Sequence, residues 1–220
     1  MNYDAKDSGY YANVRHDLIS LLGKGDKNLK VIEIGAGYGE TLHYLKQQGI
    51  AAEAVGLDIF EDEKNRSSYK PVDRFIFGNI EEVDFPEYKA YFDTVILADV
   101  LEHLIEPQRV LEKVRYYLKD EGMILVSMPN IRHYSAFKRI FLQGDFRYEP
   151  SGLFDYTHMR FYCKKNMVGL LEKGGFTIDE AKSSIRNYKG KSGAKWLNTL
   201  TFGLFEELLS VQYFFKAVKK

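Results

Sequence analysis

The chain predicts an α/β fold, doubly wound about a parallel sheet. Three observations carry that class. Short apolar runs alternate with segments of helical patterning, the first run ends in a glycine-rich turn, and the runs read as strands buried on both faces. Such alternation implies right-handed crossovers, which put helices on both faces of the sheet.

The elements follow in order. "YYANVRHDLISLLGKG" (10–25) sets Val14, Leu18, Ile19 and Leu22 near helical spacing before Gly23 and Gly25, so a helix is expected to lead into the core. "LKVIEIGAG" is a buried strand entering a tight turn, and "ETLHYLKQQG" is a helix closed by Gly49. Strands are expected at 52–59 ("AEAVGLDI"), 72–80 ("VDRFIFGNI") and 92–100 ("FDTVILADV"). "PQRVLEKVRYYLKDEG" (107–122) is a helix with Pro107 in its first turn and Gly122 past its end. A further buried strand covers 122–130. Beyond it the rhythm loosens: "YSAFKRIFLQG" is helical, "KKNMVGLLEKGGF" (164–176) is helix to glycine turn, and "FTIDEAKSSI" is a strand. Residues 186–207 read as a loop with a short helix, and "LLSVQYFFKAVKK" (208–220) as an apolar strand with a basic end.

Bulk properties narrow the class. A chain of 220 residues with no repeat or linker is expected to be one domain over 1–220, with an N-terminal helical segment at 1–29 and an insertion at 131–163. Lys plus Arg and Asp plus Glu both number 31, so net charge draws the protein to neither nucleic acid nor an anionic membrane. The single Cys163 forms no internal disulfide and no multi-cysteine zinc site. The lack of a signal segment and of an apolar run of about 20 residues leads us to expect a cytoplasmic protein without membrane insertion. A homodimer is compatible with all of this.

The turn "EIGAGYG" (33–39) places its third glycine one residue earlier than the dinucleotide pattern does. Glu33 lies just ahead of Gly35, Ala36 and Gly37, where a carboxylate would repel a pyrophosphate and suit a cation. Asp58, about 20 residues past the turn, is placed to accept hydrogen bonds from a ribose diol. Asn79 can pair with a purine edge, or else cap a helix, while Ile59 and Ile80 sandwich the base. Adenine, ribose and positive charge without phosphate describe S-adenosylmethionine, with S-adenosylhomocysteine as product.

These segments resemble the class I S-adenosylmethionine-dependent methyltransferases. "VIEIGAGYG" is similar to the family's glycine motif, "GLDI" to its ribose-binding motif, "FGNIEEVDF" to its adenine segment, "FDTVILADVLEHL" to its fourth-strand motif (Ala98 included), and "KDEGMILVSMPN" to its fifth. The resemblance implies a Rossmann-like seven-stranded sheet in the order 3-2-1-4-5-7-6, strand 7 antiparallel, with 208–220 as the seventh strand. "YYANVRHDLISLL" and "SGLFDYTHMRFY" look like segments of methyltransferases from bacterial surface-polysaccharide synthesis, which implies a sugar or nucleotide-linked sugar as acceptor.

For a hydroxyl acceptor a base matters. His103, at the carboxyl end of the fourth strand, is a candidate base, or else a packed histidine, and Asp99 a candidate to orient it or to meet the ligand's amino group. No metal is assigned, although Asp99, Glu102 and His103 have the donor types for a divalent cation. In "GLFDYTHMRFY" (152–162), His158 is a candidate catalytic group that Asp155 can orient, and Tyr156 and Arg160 are candidates for the acceptor. An Asp155–Arg160 ion pair that merely anchors the loop is the competing reading. Tyr10, Tyr11 and Arg15 can close the pocket from the N-terminal side, Arg15 towards the methionine carboxylate or simply towards water. The other functions weighed are methylation of a quinone-like or other small metabolite, and a non-catalytic cofactor-binding subunit of a glycosyltransferase complex.

Overall fold

A computed structural model describes residues 13–187 and 193–220. Its centre is a seven-stranded sheet: β1 (Leu29–Ile34), β2 (Ala51–Asp58), β3 (Arg74–Phe77), β4 (Phe92–Ala98), β5 (Leu118–Pro129), β6 (Phe176–Ser183) and β7 (Gln212–Lys219). The spatial order is β3-β2-β1-β4-β5-β7-β6. β1 to β5 run parallel, and β7 is antiparallel to both β5 and β6.

The apolar runs are continuous because successive residues face two separate cores. Ile32 and Ile34 of β1, Val95 and Leu97 of β4, Ile124 and Val126 of β5, and Phe215 of β7 share one cluster with α3 (Pro107–Tyr117) and α5 (Lys164–Lys173). Their alternates Val31, Ile96, Leu125 and Phe214 join Leu18 and Ile19 of α1 (His16–Ile19) and Leu42 and Leu45 of α2 (Glu40–Gln47) on the other face. Both faces are therefore closed by helices, as the alternation of elements requires.

Several boundaries differ from expectation. The helix expected over 10–25 is only the one-turn α1 among the described residues: Arg15 is non-helical at φ −81°, ψ 61°, and Asp26 closes a turn by accepting from the Gly23 N–H at 2.7 Å. Residues 10–12 lie outside the described residues. α3 stops at Tyr117 because buried Leu118 already pairs with Phe92 of β4, so the chain passes from helix to sheet without a linker. β3 is confined to 74–77, and Gly78, Asn79 and Ile80 form the turn after it. The segment 134–144 begins as α4 (Tyr134–Phe137) and widens into a π-turn over Lys138–Leu142. Between β6 and β7 lie three short helices, α6 (Ser184–Asn187), α7 (Gly193–Leu200) and α8 (Glu206–Leu209), where a loop with one helix was expected. Leu208 and Leu209 belong to α8, so β7 starts at Gln212.

Phe75 fixes the geometry of the first crossover. Its ring packs where a Cβ on Gly56 of β2 would sit 2.6 Å away and one on Gly39, at the start of α2, 2.7 Å away. Gly39 also has φ +83°, a conformation that strains any residue with a side chain. Gly56→Ala is expected to destabilise the protein by about 1–3 kcal/mol through overpacking. Denaturant unfolding checks this, and Phe75→Leu in the same chain should recover part of the loss.

Candidate functional site

At the carboxyl edge of the parallel strands lies a cavity of about 850 Å³. The crossovers leave β1 and β4 in opposite directions there, which opens a crevice between their ends. Gly35 and Gly37 of the turn after β1 have φ +75° and +53°, and the Gly35 N–H donates to the Leu57 carbonyl at 2.8 Å. The turn therefore lies flat against β2, and a Cβ on Gly35 would be 2.8 Å from the Val100 side chain.

Asp58 locks the turn in place. One carboxylate oxygen accepts from the Gly37 N–H at 2.8 Å and the other from the Phe60 N–H at 3.0 Å. Burial raises its pKa while these amides oppose the shift. Glu33, 3% exposed, points into the same space, and one of its oxygens has no hydrogen-bond partner among the described residues. Burial pushes Glu33 up to about 8, against the pull of Arg15, which favours the neutral acid near pH 7.

Of the expected cofactor residues, Glu33, Gly35, Ala36, Gly37, Asp58, Ile59, Asn79, Ile80, Ala98 and Arg15 all line this one cavity. Tyr11, like Tyr10, lies outside the described residues. Ile80 is buried and Ile59 half exposed, as a base-flanking pair would be. Asn79 makes the capping contacts: its side-chain oxygen accepts from the Glu81 N–H at 3.0 Å and its amide donates to Glu82 at 2.9 Å. It still borders the cavity.

Arg15 is not a solvated side chain. It pairs with Asp99 at 2.8 Å and donates to Ser127 Oγ at 2.9 Å, while Ser127 donates to the second Asp99 oxygen at 2.8 Å. Gln212 Nε2 also donates to Asp99. Ser127 and Gln212 were missed in the sequence. The one signal was a lone serine inside the apolar run "MILVSMP", which a strand buried on both faces does not otherwise need.

Of the residues expected on the acceptor side, His103 lines the cavity and its Nδ1 lies 3.0 Å from the Thr157 carbonyl. A carbonyl only accepts, so Nδ1 carries the hydrogen and Nε2 the lone pair in the neutral ring. The His158 ring meets it edge-on at 4.8 Å between centroids. His158 is buried behind His103, with Nδ1 3.3 Å from the Leu153 carbonyl, and is not part of the cavity wall. The metal donor set considered from sequence is rearranged. Asp99 is held by Arg15, and the donors that converge are Glu102, His103 and His158, with ligand atoms within 4.8 Å of one another. Glu102 is fully buried, its carboxyl raised well above the ordinary range by burial and by Asp99.

Tyr156 and Arg160 stand outside the cavity wall. Tyr156 is exposed, and the Arg160 guanidinium donates to the carbonyls of Leu104 and Ile105, while its backbone N–H donates to the Glu102 carbonyl at 3.0 Å. Asp155 turns to Thr157, accepting from its N–H at 2.9 Å and its hydroxyl at 2.6 Å. The stretch 152–162 thus clamps the loop after β4 and presents His158 to His103.

Sheet order, glycine turn and acidic residues at the ends of β1 and β2 define an α/β protein with a nucleoside-type site at the strands' carboxyl edge. A family model described as a methyltransferase domain matches residues 4–181, and the chain belongs to that family. Its cofactor is S-adenosylmethionine. Among curated relatives, the human mitochondrial ubiquinone biosynthesis O-methyltransferase is 24% identical over 173 residues, which is 75% of this chain and 46% of that protein. The chain thus spans about half that relative's length. The Shewanella halifaxensis ubiquinone biosynthesis O-methyltransferase is 20% identical over 172 residues, 76% of this chain and 72% of its own. A malonyl-[acyl-carrier protein] O-methyltransferase of Halalkalibacterium halodurans is 32% identical over 124 residues, 51% of this chain and 45% of its own. A solved S-adenosylmethionine dependent methyltransferase from Mesorhizobium loti shares the fold, with TM-score 0.64 and 17% identity over 92% of this chain and 95% of that one.

Binding of a cationic ligand beside Glu33 should convert the neutral acid to carboxylate. Calorimetry of S-adenosylmethionine binding at pH 7 in buffers of different ionisation enthalpy is expected to show release of a proton, with affinity rising towards pH 8. Glu33→Gln should bind more weakly and release none. Because the folded pKa of about 8 exceeds the ordinary 4.5, the folded protein holds more protons than the unfolded chain between those values, so its stability should fall as pH rises through that window. Thermal unfolding without ligand reads that slope.

Proposed function

We propose that the protein O-methylates the hydroxyl of a small phenolic, quinone-like acceptor, with His103 as general base. The observation that carries this reading is that His103 borders the cofactor cavity with its Nδ1 3.0 Å from the Thr157 carbonyl, a contact that assigns the hydrogen to Nδ1 and the lone pair to Nε2 in the neutral ring. S-adenosylmethionine supplies a methyl group already activated on a sulfonium. In this reading the chain's task is to place an oxygen in line with that group and to remove its proton. As the new O–C bond forms and the S–C bond breaks, the hydroxyl proton passes to His103, and S-adenosylhomocysteine is left. Thr157 and His158 act as positioning groups, the first through the Nδ1 contact and the second by packing edge-on against the ring.

Asp58 and the turn at 35–37 hold the nucleoside in this account, Ile59 and Ile80 flank its base with Asn79 at the edge, and Glu33 faces its cationic end. Arg15, already joined to Asp99, is placed for the amino-acid carboxylate, with Asp99 facing the ammonium. The names of the ubiquinone-pathway relatives favour a phenolic hydroxyl, which is acidic enough for an imidazole to deprotonate as the bond forms. A sugar hydroxyl is the second reading. It rests on the resemblance of "SGLFDYTHMRFY" to segments of polysaccharide methyltransferases.

His103→Ala is expected to lower kcat about 10²–10⁴-fold while leaving S-adenosylmethionine affinity intact. His158→Ala should cost less. Turnover on a catechol-type acceptor set beside a panel of nucleotide sugars separates the two readings. Transfer to sugars alone would overturn the phenolic one, and loss of cofactor binding in His103→Ala would remove it from the acceptor side.

A further inference from the structure

The turn 78–84 follows β3 and supplies Gly78, Asn79, Ile80 and Glu81 to the cavity wall. It is too short to satisfy its own backbone. The N–H groups of Glu82 and Val83 both donate to the Asn79 carbonyl at 2.9 Å, but among the described residues the carbonyls of Ile80, Glu81 and Val83 accept no backbone N–H. Main-chain oxygens turned away from water need a donor, so another part of the chain has to serve them.

That donor is Lys113 of α3, 33 positions beyond Ile80. Its Nζ donates to the carbonyls of Val83 at 2.9 Å, Ile80 at 3.0 Å and Glu81 at 3.2 Å, and it pairs with Asp84 at 3.0 Å. The side chain is only 12% exposed, whereas a lysine on a helix flank ordinarily carries its head into water. An ammonium has three hydrogens and no lone pair, so it can meet several carbonyls that converge on one point. Position 113 lies three residues past Val110 and one before Val114, both buried against the sheet, so the lysine stem leaves α3 at the margin of its packed face.

A second stitch joins the same turn to the start of α3, where the Glu81 carboxylate accepts from the Glu106 N–H at 2.7 Å. The turn is thus tied at two points to a helix that is anchored in the core. Lys113 itself does not line the cavity, while Ile80, whose carbonyl it holds, does. We propose that Lys113 is a positioning residue for cofactor binding: by gathering three carbonyls of the turn, it fixes the wall against which the adenine lies. This inference rests on the reading that the base sits between Ile59 and Ile80.

Lys113→Met keeps the stem and removes the donors. Calorimetry of the full chain with S-adenosylhomocysteine is expected to show affinity about tenfold weaker in this variant, the scale of hydrogen bonds lost from a charged donor. Lys219→Met is the control. Lys219, with its side chain 17% exposed, also donates to a carbonyl, that of Leu118 at 2.9 Å, at the opposite end of β7 from Gln212. Both variants should unfold at lower denaturant concentration, and only the first should lose affinity. Should Lys113→Met not fold, Lys113→Gln, whose shorter amide cannot gather all three carbonyls, reads the same loss. Unchanged affinity in a folded Lys113 variant would mean that the clamp serves stability alone, and would overturn the proposal. Ile59→Ala tests the reading beneath it, since Ile59 is half exposed and its truncation should weaken binding without unfolding the protein. No loss of affinity there would remove the base from this wall and take the proposal with it. With the base in place, the two changes should be coupled, so that Lys113→Met with Ile59→Ala loses less affinity than the product of the single losses. Strict multiplication of those losses would show that Lys113 does not act through the base and would count equally against the proposal.

Discussion

The Asp99 carboxylate is the point on which the site's architecture depends. It takes hydrogen bonds or an ion pair from Arg15 ahead of α1, Ser127 in β5 and Gln212 in β7, three stretches far apart in the chain. Leaving the oxygens of a half-buried carboxylate without donors is costly, so these donors are held where they are. Arg15 is thereby aimed across the cavity, where it also opposes the burial of Glu33. The left-handed backbone of Asp99, at φ +56°, turns the chain out of β4 and sets the direction in which Val100 to His103 approach.

Much of this was legible in the sequence, and for physical reasons. Strands buried on both faces must be apolar at every position, and crossovers must be helical, so the α/β order could be read from the alternation. The glycine turn, Glu33 and Asp58 were legible because each violates its surroundings: glycines where a strand should continue, carboxylates at the ends of apolar runs. Ten of the residues expected to bind the cofactor line one cavity. The resemblance to the methyltransferase family added the sheet order and the antiparallel direction of the seventh strand, which local pattern could not supply.

What was not legible depends on distance in the chain or on backbone detail. Gln212 meets Asp99 across 113 positions, and no periodicity reports that. Arg160 was expected at the acceptor because a guanidinium suits a carboxylate or phosphate, and in the structure it donates to the carbonyls of Leu104 and Ile105 in the turn after β4. Residues 186–207 were expected to be a loop with one short helix, and the structure has α7 and α8 in and just past that stretch, each too short for a long periodic pattern.

The placement of β7 between β5 and β6 has a temporal meaning. A ribosome delivers β1 to β6 before β7, so β5 and β6 must wait as unpaired edges until residues 212–219 emerge. Gln212 arrives with that same strand. Asp99 therefore gains its last donor only when the sheet closes, so a nascent chain lacking β7 would present a loosely held Asp99 beside two open strand edges.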